Sequence, residues 1–354
     1  MSKKQSALDV KSGVDQSDYT HDANIKSIKA KRKALKTKNT IFDDLTSGSI
    51  TALSKAITLL ESTLVEDQKI AKALIKDCQK ASKPATRIGI TGIPGVGKST
   101  FIEALGLSLL KENHKLAVLT IDPSSPVNKG SILGDKTRME QLSKHPSAFI
   151  RPTATGDTLG GVARATRESI ILCEAAGYDT IIIETVGIGQ SEVAVKSMVD
   201  HFMLLQISGA GDELQGIKRG VIEMTDTIII NKSDGENIKA SKQTKRMLSN
   251  ALHLYPEKNS GWPCEILLCS AIENNGLDGI WSHIKNYMSH AEISGYLKAN
   301  RSLQNMYWFE ETIKQTLTEN FKNNPKTKEK LIQLSKQVEQ GLLSPFEAAD
   351  LLFS

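Results

Sequence analysis

The run Thr91 to Thr100, TGIPGVGKST, crowds three glycines and a proline between an apolar segment and a Lys-Ser pair. Gly92 through Ser99 fits G-x-x-x-x-G-K-[ST], a loop whose small residues let successive backbone N–H groups curl round phosphate oxygens at the start of a helix. Gly92, Ile93, Pro94, Gly95, Val96, Gly97, Lys98, Ser99 and Thr100 are therefore assigned to a bound nucleotide. In this reading Lys98 reaches the β- and γ-phosphates and Ser99 ligates Mg²⁺. A second string, Asn231-Lys232-Ser233-Asp234, closes an apolar run. A carboxylate at Asp234 can accept from both N1–H and the exocyclic amine of guanine, whereas adenine offers an acceptor at N1 and would oppose it. Ser270, Ala271 and Ile272, at the end of another apolar run, are placed at the same pocket, with backbone N–H groups of Cys269-Ser270-Ala271 directed at guanine O6.

Glu184-Thr185-Val186-Gly187 supplies a sensor for the third phosphate. Glu184 can hold a water of the Mg²⁺ shell, and the Gly187 N–H can bond the γ-phosphate while the loop stays free to move. Gln190 is either the group that orients the attacking water or a surface glutamine with no such role. Between cradle and sensor, Asp122 ends an apolar run and is assigned to the metal shell. Asp135, in a Gly/Ser/Pro-rich setting, either joins the same ion or caps a solvated loop. The polar run 208–220 is either a mobile element reporting nucleotide state or an ordinary loop.

These residues need a scaffold that brings strand ends together. The apolar runs 87–91, 116–122, 179–184, 201–207, 226–231 and 265–271 alternate with helical patterns. Unbroken apolar strands separated by helices predict a doubly wound α/β domain, a mostly parallel sheet covered on both faces. Ahead of it, Ile50, Leu53, Ile57, Leu60 and Leu64, then Ile70, Leu74, Ile75 and Cys78, recur at helical spacing. Behind it, Leu303, Met306, Ile313 and Leu317 mark one helix, Leu331, Leu334 and Val338 a second across Asn323-Asn324-Pro325, and Ser344-Pro345 opens a third. The predicted organisation is a polar, disordered arm over 1–44, a helical segment over 45–82, the nucleotide domain over 83–290 and a helical extension over 291–354.

In bulk terms the 354-residue chain, 39% hydrophobic and 24% charged, reads as an ordinary soluble protein. Its net charge of +5 is concentrated in residues 1–40, where ten Lys/Arg stand against four Asp. That arm is read as solvated, and no nucleic-acid or membrane partner is expected. The start of the chain has neither an apolar signal core nor acid-poor transit composition, so a cytoplasmic location is expected. Cys78, Cys173, Cys264 and Cys269 form no C-x-x-C pair, which predicts packing residues rather than a zinc site or a disulfide framework.

The combination GIPGVGKST, DPSSP, GDKTRM, TLGGVARATRE, ETVGIGQSE, GAGDELQGIK and NKSDG resembles the MeaB/ArgK family of P-loop GTPases, from about residue 45 to the C-terminus. The glutamate of ETVG is similar to that of the wider metallochaperone-like class. This resemblance implies a homodimeric GTPase serving as chaperone for an adenosylcobalamin-dependent acyl-CoA mutase, typically methylmalonyl-CoA mutase, gating cofactor loading and protecting the enzyme. It also implies switch I over 122–139, switch II over 184–192, a third switch over 208–220 and a dimerisation role for the C-terminal helices. Two rival functions stand beside it: a transport-associated (arginine/ornithine) ATP-dependent kinase, and a GTP-dependent metal-insertion factor. The lack of Cys- or His-rich motifs argues against the second.

Overall fold

The computed structural model describes residues 38–121, 138–153, 159–185, 191–209 and 219–353. Seven parallel strands form one sheet in the order β3-β2-β4-β1-β5-β6-β7. They are β1 Thr86–Gly92, β2 Leu116–Ile121, β3 Ala148–Thr153, β4 Thr180–Thr185, β5 His201–Ile207, β6 Thr227–Asn231 and β7 Glu265–Leu268. Central β1 pairs with β4 on one side, Ile90 opposite Glu184, and with β5 on the other, Gly92 opposite Leu205. The predicted doubly wound fold is present.

Alternate residues of each strand feed opposite faces, so both sets are apolar. Ile88, Ile90, Ile182, Met203 and Leu205 join Phe101, Leu105, Trp281 and Ile284 on one face. Those partners lie on helices α4 (Lys98–Lys111) and α10 (Leu277–Ile293). Ile181, Ile183 and Phe202 point the other way, into a cluster with Leu172, Val195, Val199 and Trp308. Here the covering helices are α6 (Leu159–Ala175) and α7 (Ser191–Lys196), with α1 (Lys38–Thr46), α2 (Ile50–Glu61) and α3 (Val65–Ala81) in the same cluster. At the far edge, Leu204, Ile228 and Ile266 pack with Val221 and Leu248 of α8 (Arg219–Met224) and α9 (Asn237–Leu252). A short α5 (Glu140–Lys144) precedes β3.

Two features depart from the sequence expectation. Residues 38–44, assigned to a disordered arm, lie in α1, because Ile41 and Leu45 are buried at helical spacing among polar neighbours. Strand β3 was not anticipated: its apolar stretch is only Ala148-Phe149-Ile150, followed by Arg151 and Pro152. Among the described residues it pairs only with β2, and an edge strand tolerates the proline.

The C-terminal helices are α11 (Tyr296–Asn323), α12 (Pro325–Glu339) and α13 (Pro345–Phe353). Asn324 accepts from Lys326 N at 3.0 Å, with Pro325 opening α12. Ser344 and Glu347 form a reciprocal capping box, Glu347 N donating to Ser344 Oγ at 3.2 Å and Ser344 N to Glu347 Oε2 at 2.9 Å. Leu303, Met306, Phe309, Ile313 and Leu317 of α11 are exposed. No helix among the described residues is long and apolar enough to cross a membrane.

Candidate functional site

The site is built at the carboxyl ends of β1, β4, β6 and β7, where open parallel sheets present helix N-termini. β1 stops at Gly92, and α4 begins at Lys98 with Gly97 as its cap residue. Gly97 has φ +91°, and a Cβ there would stand 2.8 Å from Asn231 Nδ2, so both conformation and space demand glycine. The loop thus turns back against the NKSD string.

Lys98 is 7% exposed, and its ammonium donates to the Gly92 carbonyl at 2.7 Å and the Ile93 carbonyl at 3.2 Å. Burial lowers its pKa, the nearby Glu184 charge opposes that shift, Arg138 adds to it and Glu192 opposes it. A desolvated cation held mainly by carbonyl dipoles at the mouth of a glycine loop is poised to exchange them for phosphate oxygens. Ser99, half-buried, and exposed Thr100 follow in the first turn.

Glu184 is buried near the end of β4, and its charge reaches Lys98. Ser99 and Glu184 offer one hydroxyl and one carboxylate, both oxygen donors of the kind Mg²⁺ takes beside phosphates and water. Among the described residues no group of three or more His, Cys, Asp or Glu could hold a metal ion by itself. Mg²⁺ bound largely through nucleotide and water requires no such cage. Asp122 and Asp135, the other assigned metal ligands, and Gly187 and Gln190 of the sensor lie outside the described residues.

The base end is held by side chains spanning loops. Asn231 Nδ2 donates to the Val96 carbonyl at 2.9 Å, and its Oδ1 accepts from Ala271 N at 3.2 Å, joining the cradle to the β7 loop. Lys232 Nζ donates to the Gly95 carbonyl at 2.9 Å, from a backbone at φ +55°. Asp234 accepts from Ser270 Oγ through Oδ2. That hydroxyl fixes one carboxylate oxygen and orients the group.

The structure redistributes roles here. Cys269 N donates to the Ile230 carbonyl at 2.9 Å, Ser270 N to that of Asn275 at 3.0 Å and Ala271 N to Asn231 Oδ1, so each amide assigned to guanine O6 has an acceptor within the protein. Ile272 is 75% exposed at the rim. A buried pair not anticipated from sequence, Thr185 Oγ1 donating to Thr91 Oγ1 at 2.8 Å, ties the ends of β4 and β1 beneath the loop. Nothing in the spacing of two threonines separated by 94 positions signals such a contact.

A glycine-loop cradle on a doubly wound sheet, with a carboxylate-bearing base motif in register, defines the class of P-loop GTPases. A family model described as methylmalonyl-CoA mutase-associated GTPase MeaB matches residues 53–326. The chain belongs to this family. It is 45% identical over 302 residues to a probable GTPase of Mycobacterium tuberculosis, covering 85% of this chain and 90% of that one. It is 42% identical over 322 residues to the mitochondrial methylmalonic aciduria type A homolog of Mus musculus, covering 88% and 78%. A crystal structure of a protein described as an LAO/AO transport system kinase superposes with TM-score 0.70 at 35% identity, covering 89% of this chain and 96% of the other. The protein is a GTPase that binds guanine nucleotides and hydrolyses GTP.

Proposed function

We propose that this GTPase acts as a chaperone for an adenosylcobalamin-dependent acyl-CoA mutase of the methylmalonyl-CoA type, gating cofactor loading and protecting the mutase by nucleotide state. The observation that carries this reading is the mutase-associated family match over residues 53–326, joined by the likeness to the mouse methylmalonic aciduria type A homolog. Adenosylcobalamin enters only through the partner. The working form is a cytoplasmic homodimer, supported by the exposed Leu303, Met306, Phe309, Ile313 and Leu317 of α11.

In the proposed mechanism the amides of residues 95–99 and the α4 N-terminus cradle the phosphates. Lys98 leaves the Gly92 and Ile93 carbonyls to neutralise charge developing on the β–γ bridge and γ oxygens. Ser99 and Glu184, joined by Asp122 and Asp135, would hold a bound Mg²⁺ or its waters, and the ion would supply charge neutralisation for the phosphates. Water attacks the γ-phosphorus in line with the leaving oxygen, Gly187 N–H and Gln190 positioning phosphate and water, with no covalent intermediate. Asp234, oriented by Ser270 and supported by Asn231 and Lys232, selects guanine.

Such a site is slow until a partner completes it. The test is GTP turnover with the purified mutase titrated in, alongside co-purification under GDP, GTP and a non-hydrolysable analogue. Turnover is expected to rise about tenfold or more at saturation. A rate indifferent to saturating mutase, with nucleotide-independent co-purification, removes the chaperone reading and leaves the GTPase.

A further inference from the structure

Helix α7 directly follows residues 186–190 and opens with Ser191 and Glu192. Glu192 is 1% exposed, and its charge bears on the cradle lysine Lys98. One side of the helix and its following turn press onto central β1. A Cβ on Gly89 would lie 2.9 Å from Val195 Cγ1 and 3.1 Å from Val199 Cγ2, so the approach requires glycine.

A six-residue helix cannot hold itself in place and leaves its last carbonyls without helical donors. Within the turn, Ser197 N donates to the Val193 carbonyl and Met198 N to that of Val195, both at 3.0 Å. The next carbonyls are taken by α11 of the C-terminal extension. Gln304 Nε2 donates to Val199 O at 2.7 Å and to Lys196 O at 3.3 Å, and Trp308 Nε1 donates to Ser197 O at 3.1 Å. Gln304 is 7% and Trp308 4% exposed, on a helix whose neighbours Leu303, Met306 and Phe309 face outward.

We propose that Gln304 and Trp308 are positioning residues for GTP hydrolysis: by holding the carbonyls of α7 and its following turn they set where the other end of the helix places Glu192 relative to Lys98. The C-terminal extension is then part of the catalytic apparatus as well as a surface. The geometry favours this over passive packing because side-chain N–H groups, in addition to apolar contacts, take up the carbonyls of Lys196, Ser197 and Val199 at the end of the helix and in its following turn. A buried carbonyl that loses its donor shifts to find another, and α7 moves with it.

The test uses the full chain with Gln304→Met, which keeps length and removes the donor, and Trp308→Phe, which keeps an aromatic ring without the N–H. Each is expected to lower kcat about three- to tenfold, the loss of one or two neutral hydrogen bonds, and the KM for GTP and the Kd for GDP should stay within about twofold. A lowered melting temperature with unchanged kcat would mean a structural role only and overturns the proposal, as does a rise in KM alone. Should either variant fail to fold, Trp308 emission is read in a Trp262→Phe, Trp281→Phe background. It should differ between GDP and a non-hydrolysable GTP analogue, and a spectrum indifferent to nucleotide overturns the proposal equally.

Discussion

The two ends of the sheet handle charge in opposite ways. At the carboxyl ends Lys98 rests on the carbonyls of Gly92 and Ile93, and Asp234 is held through one oxygen by Ser270. These partners are ones a nucleotide can replace or join. At the amino ends three carboxylates are each held by two or more protein donors. Asp200 accepts from Arg301 at 2.8 and 2.6 Å and from Arg87 N at 3.0 Å; Asp226 accepts from Lys196 Nζ at 2.6 Å and Phe202 N at 2.8 Å. Glu174 Oε1 accepts from Arg87 Nε at 2.9 Å and Ala85 N at 3.1 Å. Carboxylates held by several protein donors act through the fold, whereas Lys98 and Asp234, with fewer partners, are placed to meet a ligand. The rule predicts different symptoms for damage at each end.

The largest effect is expected from Lys98→Ala. GTP turnover should fall about a thousandfold, the scale of losing a preorganised charge at a reacting phosphate. Nucleotide-free stability should hold or rise, because burial disfavours the ammonium that the substitution removes. Phosphate release measures the turnover and urea melts the stability, which separates the two quantities. Retained hydrolysis would make the glycine loop a structural turn and erase the contrast between the ends.

Asp234→Asn comes next. The substitution exchanges a double acceptor for a mixed donor and acceptor, which mismatches guanine and suits xanthine. GTP affinity should drop about a hundredfold while xanthosine triphosphate gains, as is usual where a site built for hydrogen bonds meets the wrong edge. Calorimetry with both nucleotides checks it. An unaltered GTP preference would place base selection elsewhere, despite the Ser270 contact.

The same contrast explains what was legible in the sequence. The carboxyl-end site is made of contiguous strings whose residue types follow from the ligand, so TGIPGVGKST and NKSD announce themselves. Strands β1, β2, β4, β5 and β6 were visible because their apolar runs are unbroken and largely buried on both faces, and the half-buried edge strand β7 because Ile266-Leu267-Leu268 runs on into Cys269. β3 was not, since an edge strand needs only three apolar residues before Arg151. Helix α1 hid for a similar reason, its Ile41 and Leu45 diluted by polar neighbours. Contacts between distant positions left no local trace: Thr91 with Thr185, Asp200 with Arg301, Gln304 with Val199. Asn231 was assigned to the nucleotide from its string, and the structure shows its amide binding two loops together, a role that depends on the fold rather than on the string.

The smallest effect is expected at the amino end and shows in pH rather than turnover. His201 is fully buried at the start of β5, bonded to Thr227 Oγ1 at 3.0 Å, with its ring 4.5 Å from that of Tyr287. Burial pushes its pKa down to about 3; Asp226 opposes the shift, and Lys196, His283 and Lys258 reinforce it. The folded state therefore prefers the neutral ring, whereas the unfolded chain protonates near the ordinary pKa of about 6.5. The stability this contributes is whole above that value and is lost as pH falls from it toward the folded pKa, by at most about 1.4 kcal/mol per pH unit. Between pH 6.5 and pH 5 the wild-type unfolding free energy from urea melts should fall, and in His201→Phe, which keeps the ring stack and cannot titrate, the fall should shrink by roughly 1.6 kcal/mol. GDP affinity should not follow either change, because the proposed nucleotide site is at the opposite ends of the strands. Equal acid sensitivity in both proteins would show that His201 takes up its proton without unfolding, and that the amino end is more open to solvent exchange than its contacts imply.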